Sequence, residues 1–369
     1  MFEFAKTVLN KFAGLDPNVL TEADGRAVAS YAALYLRDVE VVRQLIVPWL
    51  KGSIADPIGL AFFQQWWVSS CTKLEGIPEE DGIALYRELA RLFVDAFCPK
   101  SMKARHPAKQ ARTYYGATAG AESSPHTTPN SLANLTASLV LNLVAIGAGP
   151  ELDKFADVIH DGIGQAEGPD LAMLWLPFLQ DLSSKLQAIG GDELANPRYQ
   201  RVFAPIIRHT KKKYVGPRPE REGLARKPVP CGCADCSALN AFLRDPARQG
   251  GRFAVNQRRR THLHRKLDEA GVDCTHVTQE VGSPYTLVVT KTHRQHGGRC
   301  KAWEDRCGWM AGALGEMAGT LAVVVRDDVG DIMALPGGGA LPARQRGNLR
   351  AVSGTKRKAV EIIDLTGEY

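Results

Sequence analysis

The sequence predicts a mainly α fold: a helical-hairpin N-terminal domain over residues 1–215, a Pro/Arg-rich linker over 216–230, a smaller zinc-stabilised α+β module over 231–338, and a flexible, disordered tail over 339–369. Three observations predict it. Apolar residues recur at three- and four-residue spacing through the first half of the chain, as they do along helices that bury one face. One run, Tyr285–Thr292, is dense in β-branched residues and reads as a strand. Three thiols, Cys231, Cys233 and Cys236, fall within six residues, a spacing that suits a metal ion better than a packed core.

Taken in order, Thr21-Glu-Ala-Asp opens a capping box, followed by Val28, Tyr31, Leu34, Tyr35, Val39, Val42, Leu45 and Ile46 at helical spacing, with Pro48 expected to end or kink the run. Further helices are expected over 57–74 and 78–97, with Gly76 and Pro99 as breakers. The Trp66-Trp67 pair lies in the apolar pattern of the first of these and is expected in the core. Residues 100–129 shift to Ser, Thr, Pro, Gly and basic types, which predicts a long loop. Helices resume over 132–146, 151–163 and 169–189, joined by short Gly/Pro breaks that suggest antiparallel hairpins, and a last one lies around Asn196–Phe203. Beyond the linker, Ser237–Leu243 reads as a short helix and Arg258–Ala270 as a longer, very basic one. Leu321–Val325 and Ile332–Leu335 fit either a hairpin or a helix.

The chain has 369 residues, 44% of them apolar and 23% charged, enough for two ordinary domains with their own cores. No apolar run approaches the roughly 20 residues of a membrane helix, so no membrane association is expected. The N-terminus lacks a basic head before a long apolar stretch, so no secretory route is expected either. Eight cysteines are too few for a disulfide scaffold, and in a reducing compartment clustered thiols favour metal. The net charge of +6 is unevenly spread: residues 201–270 hold 17 Lys/Arg against 6 Asp/Glu, leaving 29 against 34 elsewhere. Lys211–Lys213 and Arg258, Arg259 and Arg260 are the densest parts. Such a patch suits a phosphate backbone, so nucleic acid, or an acidic protein, with a solvated basic helix face as the plainer alternative.

Zinc takes four tetrahedral thiolate or imidazole donors, and C-x-C-x2-C places three thiols on one tight turn. Among the candidates for the fourth ligand, His262 comes first, 26 residues after Cys236 on a helix able to pack over the thiols. Cys274 is the alternative, and His264 and His276 are weaker. A closed set of four is structural and leaves no position for water. The remaining readings are reduced thiols packing a turn, or an iron–sulfur cluster, for which a fourth cysteine is only distantly available. Cys300 and Cys307, beside Trp303, are not expected as ligands, and Cys71 and Cys98 are expected in the helical core.

Cys231-x-Cys233-x-Asp235-Cys236-x-x-Leu239-Asn240-x-Phe242-Leu243-x-Asp245-Pro246, then Arg259-Arg260-x-His262-Leu263, then Gly282–Thr292, resembles the C-terminal region of large fungal proteins that begin with a 2-oxoglutarate/Fe(II)-dependent oxygenase domain. The helices ending at Tyr199 and the Tyr214–Pro219 segment are similar to the part that joins the two regions. The resemblance covers roughly residues 20–335, loosely before Tyr199 and more specifically after it. It implies a fungal chain in an intracellular setting, and a rival reading as the accessory or truncated C-terminal part of such an oxygenase. An iron site of that kind needs two His and a carboxylate, usually as H-x-D/E with a distant His. None of the nine histidines is followed two positions later by Asp or Glu. The phosphate loop, H-E-x-x-H, G-x-S-x-G and the H-x-E of zinc deaminases are likewise not found, so no catalytic residues are assigned.

The end of the chain carries a second signal. Lys356, Arg357 and Lys358 form a short nuclear-import patch. Val360-Glu-Ile362-Ile363-Asp364-Leu365 combines branched aliphatics with acidic residues and looks like a SUMO-interacting motif, in which an extended peptide adds a strand to a sheet edge. A terminal strand on the chain's own sheet is the alternative. Together these features predict a non-enzymatic, nuclear, zinc-containing interaction scaffold that binds a SUMO-type modifier, with a cytoplasmic location as the alternative.

Overall fold

The computed structural model describes residues 22–33, 38–51, 54–71, 78–103, 129–221 and 223–335. It is mainly helical, with one small antiparallel sheet. Pro48, expected to end or kink the run, does not end it: the helix that contains it continues to Leu50, and the run is described as two elements on either side of residues 34–37. The first is α1 (Glu22–Tyr31), and Asp38 caps α2 (Val39–Leu50) by accepting from the Glu40 amide at 2.8 Å. Pro48 lies inside α2, one turn from its end, where the loss of one donor is tolerated. Next come α3 (Pro57–Ser70), α4 (Glu79–Ala96), α5 (Pro129–Ala145) and α6 (Gly149–Gly162). A turn at Gly168–Asp170 widens into a π segment, Leu171–Trp175, before α7 (Leu176–Ile189), and α8 (Pro197–Thr210) ends in a second π turn. Residues 104–128, most of the expected long loop, lie outside the described residues.

Burial explains the packing. In the helical core, Phe63, Tyr86, Phe93, Phe97, Phe155, Trp175 and Phe178 form a continuous series of ring contacts with centroids 4.9–6.3 Å apart. Trp66 is fully buried and donates to the Gly82 carbonyl at 3.2 Å, while Trp67 packs edge-on against Tyr86, as expected of a core pair. Tyr86 accepts from buried Asn142 at 3.1 Å, tying α4 to α5. At Gly25 a Cβ would lie 2.4 Å from the Ile58 carbonyl oxygen, so glycine there lets α1 and α3 approach closely.

The chain then builds a second, smaller core. It contains α9 (Ala234–Arg244), β1 (Gly250–Ala254), α10 (Gln257–Glu269), β2 (Cys274–Gln279) and β3 (Thr286–Lys291). The sheet order is β1-β3-β2, antiparallel throughout, with the expected strand at its centre. Leu287 and Val289 point inward against Leu239, Phe242 and Leu243 of α9 and Leu263 and Leu267 of α10. Gly251 is required by close approach, since a Cβ there would sit 2.9 Å from the Phe242 ring.

The expected module boundary at residue 338 is corrected by the packing of the last helices. Three of them, α11 (Arg294–Glu316), α12 (Ala318–Val324) and α13 (Val329–Met333), bury Trp303, Met310, Leu314, Leu321 and Ile332 in the helical core, not in the small one. The run from Leu321 is therefore helical, which settles the hairpin alternative. Ser183 of α7 and Thr320 of α12 share a buried hydrogen bond of 2.6 Å. Lys211 donates to the Asp331 and Ala334 carbonyls at the end of α13, at 2.6 and 2.7 Å. No single described helix is long and apolar enough to cross a membrane.

Candidate metal centre

Val229 enters the small module clamped by Asn240 of α9, whose side chain accepts from the Val229 amide at 2.8 Å and donates to its carbonyl at 3.1 Å. Asn240 is buried, and this peptide-like pairing fixes the segment that delivers Cys231 two residues later. Cys233 is the N-cap of α9, with its sulfur accepting from the Cys236 amide at 3.4 Å. Cys236 sits in the first turn, fully buried against Leu239 and Leu263. His262 lies mid-way along α10. Arg259, one turn before it, makes a two-pronged ion pair with Asp235 of α9, with Nε to Oδ2 at 2.7 Å. The two ligand-bearing helices are thus joined by core packing and by one charged clamp.

The four donor atoms converge. His262 Nε2 lies 3.5 Å from the Cys231 sulfur, 3.5 Å from that of Cys233 and 3.3 Å from that of Cys236, and all four donors fall within 4.8 Å of one another. A regular tetrahedron with metal–sulfur bonds of about 2.3 Å and metal–nitrogen bonds of about 2.05 Å has S···N edges of about 3.5 Å. The donor set and spacing fit zinc. The electrostatics fit a cation as well: the Cys231 thiol is drawn down to about 7, first by a backbone hydrogen bond at Cys233 and then by His262 and the other thiols. Burial, followed by the neighbouring thiols, pushes Cys236 up to about 12. A dication at the centre would let all three thiols ionise together.

Cys274, the alternative fourth ligand, is not brought to this set. It packs against the small core from β2, and burial pushes its thiol up to about 11. His264 and His276 meet each other, Nδ1 to Nδ1 at 2.7 Å, with Thr278 beside His264 at 3.2 Å and Asp268 beside His276 at 3.0 Å. Such a separation is shorter than two ligands of one tetrahedral ion require, so the pair is a hydrogen bond. Cys300 lies 3.3 Å from His296 Nε2, and Cys307 packs against the helical core. Cys71 is buried as expected; Cys98 is exposed, because α4 has ended by Ala96 and the chain there turns along the surface.

The basic patch is reorganised by the fold. Arg259 is held by Asp235, and Arg260 is buried, donating to the Val255 and Tyr285 carbonyls at 3.1 and 3.3 Å and lying over the Tyr285 ring. Lys213 donates to Gly164 and Ala166 carbonyls at 2.6 and 3.0 Å, so it too serves the scaffold. Arg258 is exposed. Lys356, Arg357 and Lys358, and Val360, Ile362, Ile363, Asp364 and Leu365, lie outside the described residues.

No family model matches the chain, and neither a curated protein nor a solved structure matches it. Sequence reasoning missed Asn240 and the Asp235–Arg259 clamp. A buried Asn is visible only as a polar residue on the apolar face of α9, beside Leu239 and Leu243, and an ion pair across 24 residues leaves no local pattern.

Proposed function

We propose that the chain is a non-enzymatic, nuclear interaction scaffold whose small module is held together by a structural zinc ion and whose terminal segment recruits a SUMO-type modifier. The observation that carries the reading is the convergence of Cys231, Cys233, Cys236 and His262 within 4.8 Å. Four protein donors complete a tetrahedral ion and leave no place for water or substrate, which favours a structural role. Binding of structural zinc can supply roughly 10–16 kcal/mol, more than the net stability of a small module. Arg258, Lys212, Lys227, Arg244, Arg248 and Arg252 are exposed and leave a basic surface for nucleic acid or an acidic protein.

Metal analysis of purified protein tests the zinc. About one zinc per chain is expected, and chelation or Cys233→Ser should make residues 223–292 protease-sensitive while the helical domain persists. Full protease resistance of the metal-free chain would overturn it. For the recruitment part, a peptide of residues 355–369 titrated into SUMO should bind with micromolar affinity, about 8 kcal/mol, and lose binding when Ile362 and Ile363 become Ala. Unchanged SUMO spectra at millimolar peptide would remove that part.

A second reading, the accessory C-terminal part of a 2-oxoglutarate/Fe(II) oxygenase, is favoured by the resemblance over residues 231–292. It places the chemistry on other residues than these. Under both readings the chain alone should release no succinate from 2-oxoglutarate with Fe(II); turnover abolished by one His substitution would contradict both.

A further inference from the structure

We infer that Cys233 and Cys236 form an oxidant-sensitive couple within the metal centre: a hydroperoxide closes them into a disulfide, and the ion is released. This rests on the zinc reading above and adds a regulation to it.

The four ligands differ in their access to solvent. Cys236 is fully buried, Cys231 and His262 are half-buried, and Cys233 is exposed. An oxidant in solution therefore meets Cys233 first. Cys233 also occupies the N-cap of α9, its sulfur accepting from the Cys236 amide at 3.4 Å. Three thiolates and a neutral imidazole around a dication sum to one negative charge, which keeps the sulfurs electron-rich. Arg259, on α10 beside the site, is paired with the Asp235 carboxylate.

The same helix sets Cys236 within disulfide reach of Cys233. Cys233 and Cys236 are three residues apart on the first turn of α9, a separation of about 5 Å between Cα atoms, inside the range that a disulfide spans. Cys231 stands outside the helix, held by the Val229–Asn240 clamp, and shares no turn with Cys236. The chemistry balances with hydrogen peroxide as the two-electron oxidant. The Cys233 thiolate attacks one peroxide oxygen, breaking the O–O bond and leaving a sulfenic acid and hydroxide. The Cys236 thiolate then displaces the second hydroxide and forms the S–S bond. Two protons from solvent turn the hydroxides into water.

The loss of two donors leaves only Cys231 and His262. An ion held by these four residues would link α9 to α10, so its departure would leave them joined by the Leu239, Leu243, Leu263 and Leu267 packing and the Asp235–Arg259 pair. The module loosens at its knuckle while its sheet retains its own ladder.

The test uses the full zinc-loaded chain titrated with hydrogen peroxide beside a chromophoric zinc chelator, with free thiols then alkylated and peptides mapped. Zinc release should track a Cys233–Cys236 disulfide one for one, and dithiothreitol with added zinc should reverse both. Cys274→Ser should release zinc at the wild-type rate, since Cys274 lies outside the ligand set. Zinc retained while exposed Cys98 is oxidised would overturn the inference. So would release without the 233–236 cross-link, or with a bridge to Cys231 or Cys274 in its place. A chain that carries no zinc and takes none up defeats the metal reading before peroxide is added, so the two failures are told apart.

Discussion

Lys291, at the end of β3, is fully buried with its ammonium 4.6 Å from the Phe242 ring centroid and 2.5 Å from the Asp245 carbonyl it donates to. One carbonyl and one ring replace its hydration only in part, and burial lowers its pKa. The sign follows from proton binding: between the lowered folded value and the ordinary lysine range, the unfolded chain holds more protons, so this residue's contribution to stability rises with pH. Lys291→Met fills the same space without the charge. It should stay within about 1 kcal/mol of wild type near neutral pH or exceed it, and should remove that rise. Lys291→Ala leaves a cavity as well, at a cost of roughly 2–3 kcal/mol. Hydrogen exchange of the module's amides at neutral and alkaline pH reads both. A Met variant far less stable than wild type would mean that the carbonyl bond and ring contact outweigh the buried charge.

At the scale of elements, the metal centre depends on how α9 meets the segment before it. Asn240→Ala strips the Val229 amide and carbonyl of their partners in a buried place, at a cost of roughly 1–3 kcal/mol for each group left unpaired. Cys231 would then be delivered by a looser segment, so zinc affinity should fall about tenfold or more in chelator competition. Unchanged affinity would show that Cys236 and His262 fix the site without the clamp. The thiols, His262 and the central strand were legible because each is a local pattern: close spacing, a basic helix, a β-branched run. The strands β1 and β2 were not. Gly250-Gly251-Arg252-Phe253-Ala254 has poor strand propensity and pairs because β3 offers it an edge and Phe242 covers Gly251. Helix α11 was hidden by Gly297, Gly298, Gly308, Gly312 and Gly315, each about 1 kcal/mol worse than Ala in a helix. Its signal was nonetheless present: Trp303, Cys307, Met310 and Leu314 recur at four and three residues, and all meet the helical core.

Across the whole molecule, the small module is an insertion into the helical domain. The chain leaves the helices near Gly216 and returns at Arg294, and the two crossings are tied together: Trp303 of α11 donates to the Gly216 carbonyl at 3.0 Å, with Arg218 over its ring. Asp273 of the module accepts from the Gln295 amide at 3.1 Å at the start of α11, and Arg226 donates to the Asp273 carbonyl at 3.2 Å. The sequence placed residues 231–338 in one module; the two cores divide at the end of β3 instead. This division has a direct consequence for truncation. Ending the chain at residue 293 removes Met310, Leu314, Leu321 and Ile332 from the helical core, where a single large-to-small change costs about 2–5 kcal/mol against a total domain stability of about 5–15 kcal/mol. The truncated helical domain should lose cooperative unfolding and protease resistance. A fragment of residues 223–293, which keeps the whole second core and all four donors, should fold when zinc is supplied. Thermal unfolding and limited proteolysis of the two pieces decide the matter. A stable 1–293 chain, or a 223–293 fragment that needs residues 294–335 to fold, would return α11–α13 to the small module and undo the insertion.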